Sequence, residues 1–214
     1  MLQLVNALDS KNPKYLRQLK RLFKQAFPRF ERKPWWLLQR TAAAGQAELL
    51  AVCDSNQPGR FCGLAICLFW QDLVLLDYFA VCPQQRNRGL GRQILPLLLQ
   101  RYAGRRLLLE TERPGSPHTN YADCCRRLRF YAACGLQNTG LAVCLAVCLY
   151  VSEYLLLWAP CQPLPSQPEL TPQTPTFAEY CGLYNALFGE LTAWRLNIRE
   201  INPLENGKEV NYLV

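Results

Sequence analysis

This chain of 214 residues is poor in histidine: it has one, His118. A triad or metal centre built on imidazole therefore has almost nothing to draw on. Paired-cysteine chemistry is lacking as well. The 11 cysteines are odd in number, and no two stand in a Cys-x-x-Cys pattern. Cys144 and Cys148 sit four apart in an apolar run with no histidine nearby, so a zinc site is not expected there. The thiols read as free, in a reducing cytoplasm. No secretory leader is expected, because Met1-Leu2-Gln3-Leu4 already alternates like a strand. Long apolar runs are missing too. Leu141 to Trp158 is interrupted by Ser152 and Glu153, and neither part reaches the roughly 18 residues of a membrane span. Two buried strands around a tight turn fit that run better, and no membrane partner is expected. Acidic residues are scarce, 16 against 24 basic ones, for a net charge of +8. The excess favours phosphate-rich partners. A nucleic-acid surface is disfavoured, because the basic helical stretch 13–27 has no aromatic stacking platform.

Among what is present, the stretch Arg86-Asn87-Arg88-Gly89-Leu90-Gly91 organises the rest. An apolar run, Leu73 to Val81, precedes it and reads as a buried strand. A helical pattern, Leu90, Ile94, Leu97 and Leu98, follows it. A strand that turns through glycines into a helix presents backbone N–H groups with no intrahelical partner, at the positive end of the helix dipole. That is an anion site. Gly89 and Gly91 allow close backbone approach, and Arg86, Arg88 and Arg92 add charge. The spacing excludes two phosphate binders. A dinucleotide fingerprint requires glycine where Ile94 stands, and a P-loop requires Lys-Ser/Thr where Arg92 and Gln93 stand.

The remaining pattern, Arg-x-x-Gly-x-Gly between a strand and a helix, resembles the acetyl-CoA pyrophosphate loop of the GNAT N-acetyltransferase superfamily. Leu76-Asp77-Tyr78-Phe79-Ala80-Val81-Cys82-Pro83 is similar to the core strand entering that loop. Arg126 to Leu136, with Phe130-Tyr131 four residues before Gly135, resembles the family's second signature; Leu136 departs from its usual phenylalanine. The resemblance covers about residues 2–159. It implies an α+β fold: a central, mostly antiparallel mixed sheet, splayed between its fourth and fifth strands and flanked by helices. It also implies that acetyl-CoA is cosubstrate, with no metal. Its pyrophosphate would rest on Arg86, Asn87, Arg88, Gly89, Leu90, Gly91 and Arg92. Its pantetheine arm would bond the backbone of Phe79, Ala80 and Val81. The first helices would line the acceptor pocket, which makes Glu31, Trp35 and Trp36 candidate contacts to the acceptor amine.

Local patterns outline the elements. Residues 2–8 read as a strand, and Asn12-Pro13 opens a helix carrying Leu16, Leu19, Leu22, Phe23 and Phe27. Pro34 opens a second helix. Strands are expected over 47–53, 61–70 and 73–81, separated by turn residues. Pro96 interrupts the helix after the loop, where a kink is expected. Alternation in the strand 106–112 puts Glu110 and Glu112 on one face and Thr111 on the other. The prolines from Pro160 to Pro175 read as a linker over 160–176. Thr176 caps a last helix within a 177–214 extension, which docks on the 1–159 domain or on a second subunit of a homodimer.

Amine acetylation needs a neutral amine beside a polarised thioester and a proton for the departing thiolate. Tyr131 is the candidate acid, since a phenol of pKa about 10 is protonated at neutral pH. Glu110 is the first candidate base, with Glu112 and Asp77 as alternatives that are as readily explained by ion pairing. The function implied is acetyl transfer from acetyl-CoA to a primary amine of a small molecule or peptide. The alternative is an acyl-CoA-binding sensor or scaffold without catalysis.

Overall fold

The computed structural model describes residues 1–9, 13–57, 59–116, 119–147, 150–161, 172–189 and 199–201. Asn12, Cys148, the centre of the proline-rich stretch and the tail after Ile201 lie outside the described residues, as does His118. The chain forms two compact units, Met1–Ala103 and Gly104–Val214.

The first unit contains β1 (Leu2–Asn6), α1 (Pro13–Ala26), α2 (Trp35–Ala43), β2 (Ala47–Asp54), β3 (Phe61–Trp70), β4 (Leu73–Val81) and α3 (Leu90–Arg101). β1 to β4 pair antiparallel in chain order. The β3–β4 turn is tight enough that Gln71 takes φ 52°. β1 ends two residues before its expected limit, at Asn6. There the Asn6 side chain accepts the Leu8 N–H at 3.2 Å, and this local bond competes with continued pairing. α1 buries Leu19, Leu22 and Phe23 against Leu49, Leu64, Ile66, Tyr78 and Ala80. Each such side chain contributes about 1.5–3 kcal/mol when fully buried. α3 runs unbroken through Pro96, which is exposed.

The β3–β4 pairing has one register shift. Ile66 faces Tyr78 while the next residue, Cys67, faces Leu76. Asp77 is therefore the extra residue of a β-bulge, a device that redirects a side chain.

The second unit contains β5 (Arg106–Glu112), α4 (Tyr121–Ala132), β6 (Gln137–Val147), β7 (Tyr150–Pro160), α5 (Phe177–Phe188) and β8 (Arg199–Ile201). Its strands lie in the order β5-β7-β6-β8, all antiparallel. The run 141–158 folds as expected into two strands, β6 and β7, with Glu153 inside β7. The Arg113 guanidinium lies 3.2 Å from its carboxylate, and the Ser116 hydroxyl accepts its N–H at 3.1 Å. α4 starts where Asn120 accepts the Asp123 N–H at 3.1 Å. α5 starts at a capping box: the Thr176 hydroxyl accepts the Glu179 N–H, and Glu179 accepts the Thr176 N–H at 2.8 Å. Helices and mainly antiparallel strands make the molecule α+β. Among the described residues, no helix is long and apolar enough to cross a membrane.

Candidate active site

The glycine–arginine loop lies where local pattern put it, between β4 and α3. A single turn of 3-10 helix, Pro83–Gln85, leads into it. Asn87 (φ 59°) and Gly89 (φ 70°) are both left-handed. Such bends beside a helix start let successive N–H groups converge on an anion. Gly89 is the N-cap of α3 and brings no side chain to accept the first N–H groups. Arg86, Arg88 and Arg92 are exposed. The Arg86 Nε donates to the Val81 carbonyl at 3.3 Å, whereas Arg88 and Arg92 have no ion pair among the described residues. Phe79, Ala80 and Val81 form the end of β4, and Gly63 faces Val81 in β3. A Cβ at Gly63 would meet the Ala80 carbonyl at 2.6 Å, so the strands approach there closely enough to require glycine.

Ahead of α2, the chain from Glu31 to Lys33 is pinned to β4. The Tyr78 hydroxyl donates to the Glu31 carbonyl and accepts the Lys33 N–H, both at 2.9 Å. The Lys33 ammonium donates to Asp77 Oδ1 at 2.6 Å and lies 5.5 Å above the Tyr78 ring. Asp77 is only 4% exposed at its side chain, and its Oδ2 is buried with no hydrogen-bond partner. Burial raises the Asp77 carboxyl above its usual range, with Lys33 opposing that rise. The two tryptophans part company. Trp35 packs on Phe23 at 5.5 Å with the Lys20 ammonium over its ring, while Trp36 is 54% exposed.

In the second unit, Tyr131 lies next to Phe130, ring centroids 5.1 Å apart. Burial pushes its hydroxyl up to about 12, against a smaller lowering by Arg127, so it remains protonated at any neutral pH. Glu112 is ion-paired with Arg127 of α4. Glu110 has a different fate. Its Oε1 accepts hydrogen bonds from the Tyr180 hydroxyl at 2.8 Å and the Tyr184 hydroxyl at 2.5 Å, both from α5. Arg106 and Glu179 form a second tie between β5 and α5 at 2.6 Å.

Neither Lys33 nor the two α5 tyrosines carries a local sequence signal for these roles. Lys33 joins Asp77 across 44 residues, and Tyr184 joins Glu110 across 74. No local spacing announces either pair. The ten described cysteines are all free. Burial pushes Cys67 and Cys161 to about 12 and Cys82 to about 11, which makes these thiols poor nucleophiles.

The model of the acetyltransferase (GNAT) family matches residues 16–135. No curated protein matches the chain. Among solved structures, a GNAT-family protein from Bacteroides thetaiotaomicron is similar, with a TM-score of 0.59 and 18% identity over 89% of this chain and 97% of its own. A spermidine N-acetyltransferase from Vibrio cholerae, solved with CoA and spermine, is similar with a TM-score of 0.55 and 12% identity, covering 74% of this chain and 94% of its own. The ribosomal-protein-S18-alanine N-acetyltransferase from Escherichia coli matches with a TM-score of 0.50 and 17% identity, over 83% of this chain and 100% of its own.

Proposed function

The chain belongs to the acetyltransferase (GNAT) family of acyl-CoA-dependent N-acyltransferases, and from that premise we propose direct transfer of the acetyl group of acetyl-CoA to a primary amine in a ternary complex. The observation that carries the proposal is the start of α3. It is uncapped, left-handed at Asn87 and Gly89, and surrounded by Arg86, Arg88 and Arg92. Arg86 to Arg92, with Leu90 and Gly91 in the first turn, would hold the pyrophosphate. The backbone of Phe79, Ala80 and Val81 would hold the pantetheine arm. The chemistry acetyl-CoA supplies is an activated acyl group; this chain's residues have to orient it and move two protons.

Tyr131 is the proposed acid. A hydroxyl that stays protonated to about 12 can donate to a departing thiolate. The base is proposed to be a carboxylate, with two candidates. Glu110 already accepts two tyrosine hydroxyls on Oε1. Asp77 has an unpartnered oxygen and a carboxyl raised by burial, which brings it nearer the range useful to a general base. These two observations favour Asp77. Glu31 and Trp36 are proposed to meet the acceptor. Trp35 serves it by supporting that wall, through its packing on Phe23. The neighbours' acceptors, a polyamine in one and a protein alanine in another, support leaving the acceptor as a small-molecule or peptide amine.

The engagement of Glu110 by α5 favours a second reading, an acyl-CoA-binding sensor without catalysis. One experiment separates them. Acetyl-CoA is expected to raise the melting temperature, because a ligand of the native state stabilises it by mass action. It is also expected to release free CoA with at least one member of an amine panel. A thermal shift without CoA release on any amine selects the sensor; no shift at millimolar acetyl-CoA removes both readings.

A further inference from the structure

Lys33, Asp77 and Tyr78 together form a finished site for a primary ammonium ion, and this chain fills it with its own lysine. The carboxylate oxygen Oδ1 takes one N–H at 2.6 Å. The Tyr78 ring offers its face at 5.5 Å, within the range of a cation–π contact. The loop backbone is held in place through the Tyr78 hydroxyl, which accepts the Lys33 N–H. The pair is not a loose surface bridge, since the side chains are 16% and 4% exposed. A buried carboxylate with one oxygen unpartnered is costly unless something uses that oxygen. Asp77 stands at the bulge of β4, two residues before Phe79, a separation of about 7 Å along a strand. Phe79 begins the segment proposed above to carry the pantetheine arm.

We propose that Lys33 is an acceptor in its own right, and that the protein acetylates its own Lys33 Nζ. The inference rests on the acetyltransferase reading and deepens it. In the step, the ammonium passes one proton to Asp77 and becomes an amine. Its lone pair attacks the thioester carbonyl carbon; the N–C bond forms and the C–S bond breaks. The amide keeps one hydrogen on nitrogen. Of the two protons lost, one ends on the CoA sulfur and the other leaves through Asp77 to solvent. No oxidation state changes. The elevation of the Asp77 carboxyl by burial eases the first transfer.

The test uses the purified full chain incubated with acetyl-CoA alone, followed by intact mass and peptide mapping. One acetyl group is expected on Lys33, at a rate constant that does not change when the protein is diluted. Lys14, Lys20 and Lys24 are exposed on α1 and serve as internal references for uncatalysed acetylation. Asp77→Asn is expected to slow Lys33 acetylation about 10²-fold, the lower range for loss of a general base. Lys33→Arg keeps the ion pair and is expected to abolish the modification while retaining the acetyl-CoA thermal shift. Acetylation of the α1 lysines as fast as Lys33, or a rate that falls with dilution, overturns the inference. So does an enzyme that releases CoA with an added amine yet leaves Lys33 unmodified, and in that case the acetyltransferase reading stands. Absence of any acetyl-CoA thermal shift sinks both.

Discussion

The starts of α3 and α5 face the same need, first-turn N–H groups without intrahelical partners, and meet it in opposite ways: Gly89 is left-handed and bare, Thr176 is extended and brings a hydroxyl. At α5, Thr176 and Glu179 satisfy each other's N–H groups, and Glu179 goes on to Arg106 at 2.6 Å. The helix start is closed in part by its own side chains. At α3, the N-cap is Gly89, which has no side chain to offer, and Arg88 and Arg92 stand nearby without ion partners among the described residues. A helix start that is closed by its own residues holds a fold together. One that stays open, and is ringed by like charge, is destabilised until an anion arrives. On this contrast rests the proposal that the α3 start takes the pyrophosphate while the α5 start serves the fold.

The contrast can be broken most severely by closing α3. Gly89→Asp would put an anionic cap at the left-handed N-cap. Loss of even one charge-assisted phosphate bond, together with the new repulsion, is expected to weaken acetyl-CoA binding about 10²-fold, read by calorimetry. The apo protein should melt only a few degrees lower, since a non-glycine residue in that conformation costs about 1–2 kcal/mol. If acetyl-CoA binds Gly89→Asp as well as it binds the wild type, α3 is not the phosphate site.

Next in size is an effect on chemistry alone. Tyr131→Phe should lower kcat about 10²-fold and leave the KM for acetyl-CoA within a factor of about two, because the hydroxyl is proposed to act on the leaving thiolate and not in binding. Equal loss in both would mean that Tyr131 packs against the cofactor and donates nothing.

Opening α5 should do the reverse of closing α3. Thr176→Ala is expected to cost about 1 kcal/mol and to lower the melting temperature by roughly 2–4 °C, with no change in acetyl-CoA affinity. The smallest and most gradual effect is acid sensitivity. Hydrogen bonds from Arg106 and Thr176 lower the Glu179 carboxyl from 4.5 to about 2. Its folded value is depressed, so its contribution to stability is complete above about 4.5 and is lost as the pH falls toward 2. An acid titration of tyrosine fluorescence should therefore show α5 loosening in that window. Glu179→Gln should flatten the transition.

The two carboxylates repeat the lesson on a smaller scale. Glu110 and Asp77 both read from sequence as candidate bases. Glu110 is engaged by Tyr180 and Tyr184, whereas Asp77 keeps an oxygen unpartnered beside a lysine. Alternation in β5 correctly separates Glu110 from Thr111, but alternation cannot report which helix will cover that face. Nor can it see the bulge at Asp77, because a register shift depends on how β3 and β4 meet and not on either strand alone.

What the residues determined unaided are the features whose causes are local. The strands at 61–70, 73–81 and 106–112, the cap at Thr176, and the glycine-and-arginine corner before α3 follow from turn chemistry, period and charge within a few positions. Tertiary structure alone decided which carboxylate would meet tyrosines and which a lysine. Those partners lie 44 to 74 residues away, and a side chain's protonation and reach depend on the atoms packed around it, which only the folded chain assembles.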